Sequence, residues 1–163
     1  MTTPPNVDAS DPIAAAIPHR PPMLLIDEIV ARDESSILCR KTFRADEFFV
    51  QGHFPGNPLV PGVILCEAAM QAGAILAAGR GGAAAGSVPV ATRLDGVKFK
   101  QMVRPGETID IAVTLTEALG NAFFMTGKIT TAGRLAARLD FACAMTESEE
   151  KKREGGTNSV GGE

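Results

Sequence analysis

Residues 51–79 read QGHFPGNPLVPGVILCEAAMQAGAILAAG, and this stretch decides the fold. A loop punctuated by Pro55, Gly56, Pro58, Pro61 and Gly62 gives way to 63–78, where Glu67 and Gln71 are the sole polar side chains. Pro61 suits a first helical turn, where a missing N–H costs nothing, and Gly79 suits the position just past a helix end. The run predicts a helix that is apolar on every face, which belongs inside a core or a bilayer. A bilayer span takes ~20 apolar residues. This run is shorter and carries a carboxylate, so it is a core helix and no membrane insertion is expected.

Glu67 then lies on a buried helix, where a carboxylate tends to raise its pKa and keep its proton. Gln71, four residues on, shares its side. His53, one of two histidines, sits in the loop ahead of the helix. A buried acid, a loop imidazole and a helix N-terminus are the parts of an acid/base site. The residues alone leave plainer readings open. A histidine between glycine and proline commonly makes an ordinary turn hydrogen bond, and Glu67 could be paired with an arginine. His19, His53 and Glu67 suffice in number for a metal but lack ligand spacing, so no metal is expected.

The 163 residues suit one domain with a real core. A net charge of −3 and a pI of about 5.4 give no footprint for nucleic acid. Cys39, Cys66 and Cys143 are odd in number, unpaired in spacing and set in apolar runs, which reads as a reduced, cytoplasmic protein. No basic segment followed by an apolar one opens the chain, so no export is expected.

Along the chain, 1–10 reads as a flexible N-terminus, 11–145 as the domain, and 146–163 as a disordered tail. Asp11-Pro12 offers a cap and first position for a short helix over 13–17. Strands are predicted over 23–31 and 37–43, joined by a turn at 33–36, and after the helix over 88–100, 108–119, 122–131 and 134–145. In the last, Leu135, Ala137, Leu139, Phe141, Cys143 and Met145 share a face. The simplest architecture is α+β: an antiparallel sheet curled around one long helix, with a second subunit covering what a single sheet leaves bare.

The segments IPHRPPMLLIDEIV (17–30), FFVQGHFPGNPLVPGVILCEAAMQAG (48–73) and VKFKQMVRPGETI (97–109) resemble the FabZ-type (3R)-hydroxyacyl-[acyl carrier protein] dehydratases of type II fatty acid synthesis. The resemblance covers about 11–145, and GHFPG followed by PGV and a helical glutamate is its specific part. It implies the hotdog fold, no cofactor, a homodimer that in many members builds a trimer of dimers, and a substrate carried as 3-hydroxyacyl-phosphopantetheine on acyl carrier protein. It also implies that His53 and Glu67 are the catalytic pair, one from each subunit. Glutamate, where FabA-type isomerising relatives have aspartate, implies plain dehydration. Many members read PHR-Tyr-Pro-Phe where this chain has His19-Arg20-Pro21-Pro22-Met23. With no tyrosine in the chain, a tyrosine gate on the acyl tunnel is excluded.

Dehydration of a 3-hydroxyacyl thioester needs a base at C2, a cradle for the enolate oxygen and an acid for the hydroxyl. His53 suits the base, since an imidazole exchanges protons near neutrality. The N–H groups of Gly62 and Val63 suit the oxyanion. Glu67 suits the acid, with Gln71 orienting it. Ile64, Ala68, Ala72 and Phe99 are the expected tunnel lining, with Gly73 leaving room. Arg93, Lys98, Lys100 and Arg104 are the expected basic patch for the carrier, and His19 is expected to be structural. A hotdog acyl-thioester hydrolase and a non-catalytic acyl-binding hotdog protein are the alternatives.

Overall fold

The computed structural model describes residues 10–78, 80 and 87–147. In chain order these form α1 (Pro12–Ala16), β1 (Glu28–Arg32), β2 (Ser36–Thr42), α2 (Gly62–Ala78), β3 (Ser87–Phe99), β4 (Thr108–Leu119), β5 (Ala122–Thr131) and β6 (Arg134–Glu147). The strands make one antiparallel sheet in the order β1-β2-β4-β5-β6-β3. Because β3 crosses to the far edge beside β6, the chain lays α2 over the concave face, where it touches β2, β3, β4, β5 and β6. This is the antiparallel sheet around one long helix expected from the apolar run and its flanking strands, and the hotdog arrangement that the resemblance implies.

Local chemistry sets the elements. Asp11 caps α1 by accepting from the Ile13 N–H at 2.9 Å, with Pro12 in the first turn. Asp33 Oδ1 accepts from the N–H groups of Ser35 and Ser36, both at 2.7 Å, and so forms the β1–β2 turn. In β6 the predicted face from Leu135 to Cys143 is turned inward, while Arg138 and Asp140 are exposed. Twelve of the seventeen α2 residues are buried. Among them Leu65, Ile75 and Leu76 each contribute on the order of 2 kcal/mol by leaving water.

Three expectations are corrected. The first strand begins at Glu28 and not near residue 23, because the Leu25 N–H and Met23 carbonyl bond to the Gln71 side chain, both at 2.8 Å, and to no strand. That same segment covers much of the α2 face that a second subunit was expected to cover. What stays open is a stripe one residue wide: Val63, 71 % exposed, then Glu67 and Met70, partly exposed, at spacings that share a helix side. Finally, β6 runs through Glu147, so Thr146 and Glu147 belong to the sheet; the rest of the expected tail, most of the 79–87 connection and nearly all of the N-terminal segment lie outside the described residues.

Candidate active site

His53 sits in a loop whose backbone is shaped by its neighbours. Gly52 and Gly56 take φ of 85° and 82°, the left-handed region open to glycine, and Phe54 is held there at 34°. A non-glycine residue in that region costs about 1–3 kcal/mol and persists where surrounding contacts enforce it. They do so here: the His53 N–H bonds to the Val50 carbonyl and the Leu59 N–H to the His53 carbonyl, both at 3.1 Å. The His53 ring lies against Phe54, with centroids 4.3 Å apart, and its Nδ1 is 3.1 Å from the Leu59 carbonyl. A carbonyl only accepts, so Nδ1 carries a hydrogen, and in the neutral ring the lone pair is then on Nε2.

The ring faces a groove of about 580 Å³, lined among others by Val60, Gly62, Val63, Phe99, Lys100 and Met102. Gly62 opens α2, and the first N–H groups of a helix have no partner within it. Gly62 and Val63, whose N–H groups are among these, line the groove together with His53. Its walls are mainly apolar, and Val63, Phe99 and Met102 are 71 %, 53 % and 63 % exposed.

Glu67 lies one turn further along α2, its side chain 26 % exposed. Gln71 Nε2 donates to Glu67 Oε1 at 3.0 Å, and His19 Nε2 faces the same oxygen at 3.5 Å. Burial pushes the carboxyl pKa up, but the hydrogen bonds and charge of His19 and the amide of Gln71 outweigh it, and the net displacement is downward. The expectation that burial holds the proton on Glu67 is thus corrected for the single chain. Gln71 is fully engaged, accepting from the Leu25 N–H and donating to the Met23 carbonyl and to Glu67.

A single chain puts His53 on the groove but not Glu67, which lies toward the Met23–Leu25 segment. Of the expected tunnel residues, Phe99 lines the groove, whereas Ile64, Ala68 and Ala72 are buried under the sheet and do not. Gly73 leaves no free room: a Cβ there would stand 2.6 Å from Met125 Sδ and 2.7 Å from the Phe141 ring.

The basic residues divide. Arg93 is paired with Asp95, and Arg104 donates to Asn57 at 2.7 Å. Lys100 lines the groove. Lys98 stands opposite Arg138, which stands opposite Lys128, an exposed row of three cations across β3, β6 and β5.

Three contributors escape a reading of the sequence. Nothing local announces the Leu59 carbonyl as the partner of His53. His19, expected to be structural, has its Nε2 3.5 Å from Glu67 Oε1, a contact that no local pattern announces. Arg20 donates to the carbonyls of Ile17 at 2.8 Å, His19 at 2.7 Å and Ala14 at 3.0 Å, closing the end of α1 and fixing the backbone of His19. A basic residue just past a short helix was the signal available for it.

Comparison with known proteins gives the family and the fold. The family model described as FabA-like domain matches residues 17–140. A 3-hydroxyacyl-[acyl-carrier-protein] dehydratase FabZ of Oenococcus oeni is 41 % identical over 129 residues, covering 78 % of this chain and 92 % of that protein. A protein of the same name from Caulobacter sp. strain K31 is 36 % identical over 152 residues, 88 % of each chain. Among solved structures, the dehydratase heterocomplex ApeI:P from Xenorhabdus doucetiae superposes with a TM-score of 0.72 at 16 % identity, over 90 % of this chain and 98 % of that one. The E. coli PaaI protein gives 0.58 at 17 % identity, over 72 % and 81 %. At these identities the two structures speak for the fold.

Proposed function

We propose, from the premise that this chain belongs to the FabA-like family and has FabZ dehydratases as relatives, that it removes water from (3R)-3-hydroxyacyl-[acyl carrier protein] to give the trans-2-enoyl product of fatty acid synthesis. The observation that carries the reading is His53, its Nδ1 tied to the Leu59 carbonyl and its Nε2 left basic, beside the unpartnered N–H groups that open α2. His53 Nε2 takes the C2 proton, and the electron pair moves onto the thioester oxygen. Gly62 and Val63 N–H hold that oxygen, a stabilisation worth ~10²- to 10³-fold in rate per donor. Glu67 then delivers a proton to the departing hydroxyl, which leaves as water. Water excluded by the acyl chain acts on Glu67 in the raising direction, which favours the protonated acid at that moment.

The His53 and Glu67 that act together belong to two subunits of a homodimer. The open Val63, Glu67, Met70 stripe and the apolar edge strand β3, with Val90 and Leu94 about half exposed, support such a pairing. A trimer of dimers is compatible with it. The acidic carrier docks on the row Lys98, Arg138 and Lys128 and on Lys100 beside the groove. Like charges side by side on a sheet are unfavourable to the free protein, which suits an anionic partner. The acyl chain enters along Phe99. A reduced, cytoplasmic setting is part of the same proposal, and the three cysteines are buried and free. Among the described residues no helix is long and apolar enough to cross a membrane.

The test is water loss from carrier-bound 3-hydroxyacyl substrate by the wild type, His53→Ala and Glu67→Gln, with a saturated acyl thioester in parallel. Enoyl formation abolished in both variants, with the saturated thioester left intact, is the expected result. Hydrolysis of the saturated thioester at comparable rate would instead make the protein a hydrolase.

A further inference from the structure

The two donors around Glu67 converge on one atom. Gln71 Nε2 reaches Oε1 at 3.0 Å, and His19 Nε2 stands 3.5 Å from that same oxygen, a short movement from a hydrogen bond. Gln71 cannot turn away, because its other groups are bound to the Leu25 N–H and the Met23 carbonyl. The backbone that carries His19 is fixed too: its carbonyl accepts from Arg20, Pro18 precedes it, and Pro21 follows Arg20. Its Nδ1 is buried without a hydrogen-bond partner. A hydrogen on Nδ1 would be stranded there, so the ring is best satisfied with its hydrogen on Nε2, pointed at Glu67. Among the described residues His19 is the one titratable side chain in contact with Glu67; Gln71 and the Met23–Leu25 backbone, the other groups around it, do not titrate.

We infer that His19 is a positioning residue for the reaction: with Gln71 it occupies Oε1 of Glu67 as a donor, so the proton that the acid gives up can reside on Oε2 alone. This rests on the dehydratase reading above and goes beyond it by assigning the second histidine and the proton-bearing oxygen. An acid free to rotate would present either oxygen to the leaving hydroxyl. One whose Oε1 is doubly engaged presents a single O–H in a single direction, the kind of orientation whose loss typically costs ~10²-fold in rate. His19 transfers no proton in this scheme; its Nε2 hydrogen stays on the ring throughout. The atom balance of the elimination is unchanged: C2 hydrogen to His53, Oε2 hydrogen to the hydroxyl.

The experiment uses His19→Ala and His19→Gln in the full-length protein, glutamine being able to place an uncharged N–H near the position of Nε2. Each is assayed for kcat and KM on carrier-bound substrate, and the Glu67 carboxyl is titrated by carbon-13 NMR, with Glu67→Gln to assign the resonance. In His19→Ala, kcat falls ~10- to 100-fold with KM little changed, and the Glu67 titration moves to higher pH because a donor to the ionised form is gone. His19→Gln restores most of kcat and returns the titration close to wild type. The inference is overturned if His19→Ala leaves the Glu67 titration in place, or if glutamine shifts it as far as alanine does. The NMR titration reports on the contact whatever reaction the protein catalyses, so a failure of the dehydratase reading, seen as an active Glu67→Gln, is told apart from a failure of the positioning role.

Discussion

The Phe99 ring stands directly on Gly62, so that a Cβ built on Gly62 would lie 2.8 Å from two of its carbons. The end of β3 and the first turn of α2 are thereby locked face to face, and only glycine allows it. Gly62→Ala must push Phe99 off the groove or tilt the helix start away from His53. We expect catalytic turnover to drop by about 10²-fold, the size of losing one oxyanion donor, while the thermal midpoint moves by a few degrees at most. Steady-state kinetics with a parallel melting curve checks it. Turnover within twofold of wild type would count against the oxyanion role of this helix end.

Gly73 makes the opposite separation. Its added Cβ would collide with Met125 Sδ and the Phe141 ring in the core, away from His53. Overpacking of this kind costs about 1–3 kcal/mol, and for a domain of this size ~2–4 °C of melting temperature per kcal/mol. Gly73→Ala should melt several degrees lower and keep its activity per folded molecule. Calorimetry and active-site-normalised rates measure the two halves.

Shared sites have a stoichiometric signature. If His53 of one subunit works with Glu67 of the other, His53→Ala and Glu67→Gln homodimers are both inactive, yet a mixed dimer keeps one intact site. Equal amounts unfolded together and refolded should recover roughly a quarter of wild-type activity by random pairing of a twofold dimer. A mixture as inactive as its components would place both groups within one chain.

The cation row makes a prediction about the carrier. Arg138 is flanked across the sheet by Lys98 and Lys128, so Arg138→Glu breaks the row at its centre. KM for carrier-bound substrate should rise about tenfold or more and lose much of its salt dependence, whereas a pantetheine-linked substrate without the carrier should be turned over as before. Equal effects on both substrates would mean a structural role.

Stability should carry a pH signature at the β1–β2 turn. Asp33 has its pKa lowered from the ordinary 3.8 to about 2, chiefly by hydrogen bonds from the Ser36 side chain and from the Ser35 and Ser36 backbone. A group depressed in the folded state stabilises above its unfolded value and loses that contribution as pH falls through the folded one. Asp33→Ala should therefore melt below wild type above about pH 4, with the gap closing as the pH approaches 2. Melting curves across that range test it, and a gap independent of pH would assign the loss to something other than the carboxylate.

The sequence by itself determined the helix from its prolines, its glycine and its unbroken apolar run, and the bounds of β4 and β5 from apolar, β-branched runs broken by glycine-containing turns. These depend on dihedral preferences and on the 3.6- and 2-residue periods, which neighbours along the chain settle. It also singled out His53 and Glu67, because a loop imidazole and a carboxylate on an apolar helix stand out from their immediate surroundings. Only the tertiary structure decided what those groups touch. The meeting of His19 with Glu67, the bond of Gln71 to the Met23–Leu25 segment, the seat of Phe99 on Gly62 and the alignment of Lys98 with Arg138 and Lys128 join residues far apart in the chain. They follow from sheet register and from the crossing of β3 to the far edge. For the same reason, burial could be read from the sequence of α2 but the ionisation of Glu67 could not, since the groups that offset burial include His19 from a segment far away in the chain.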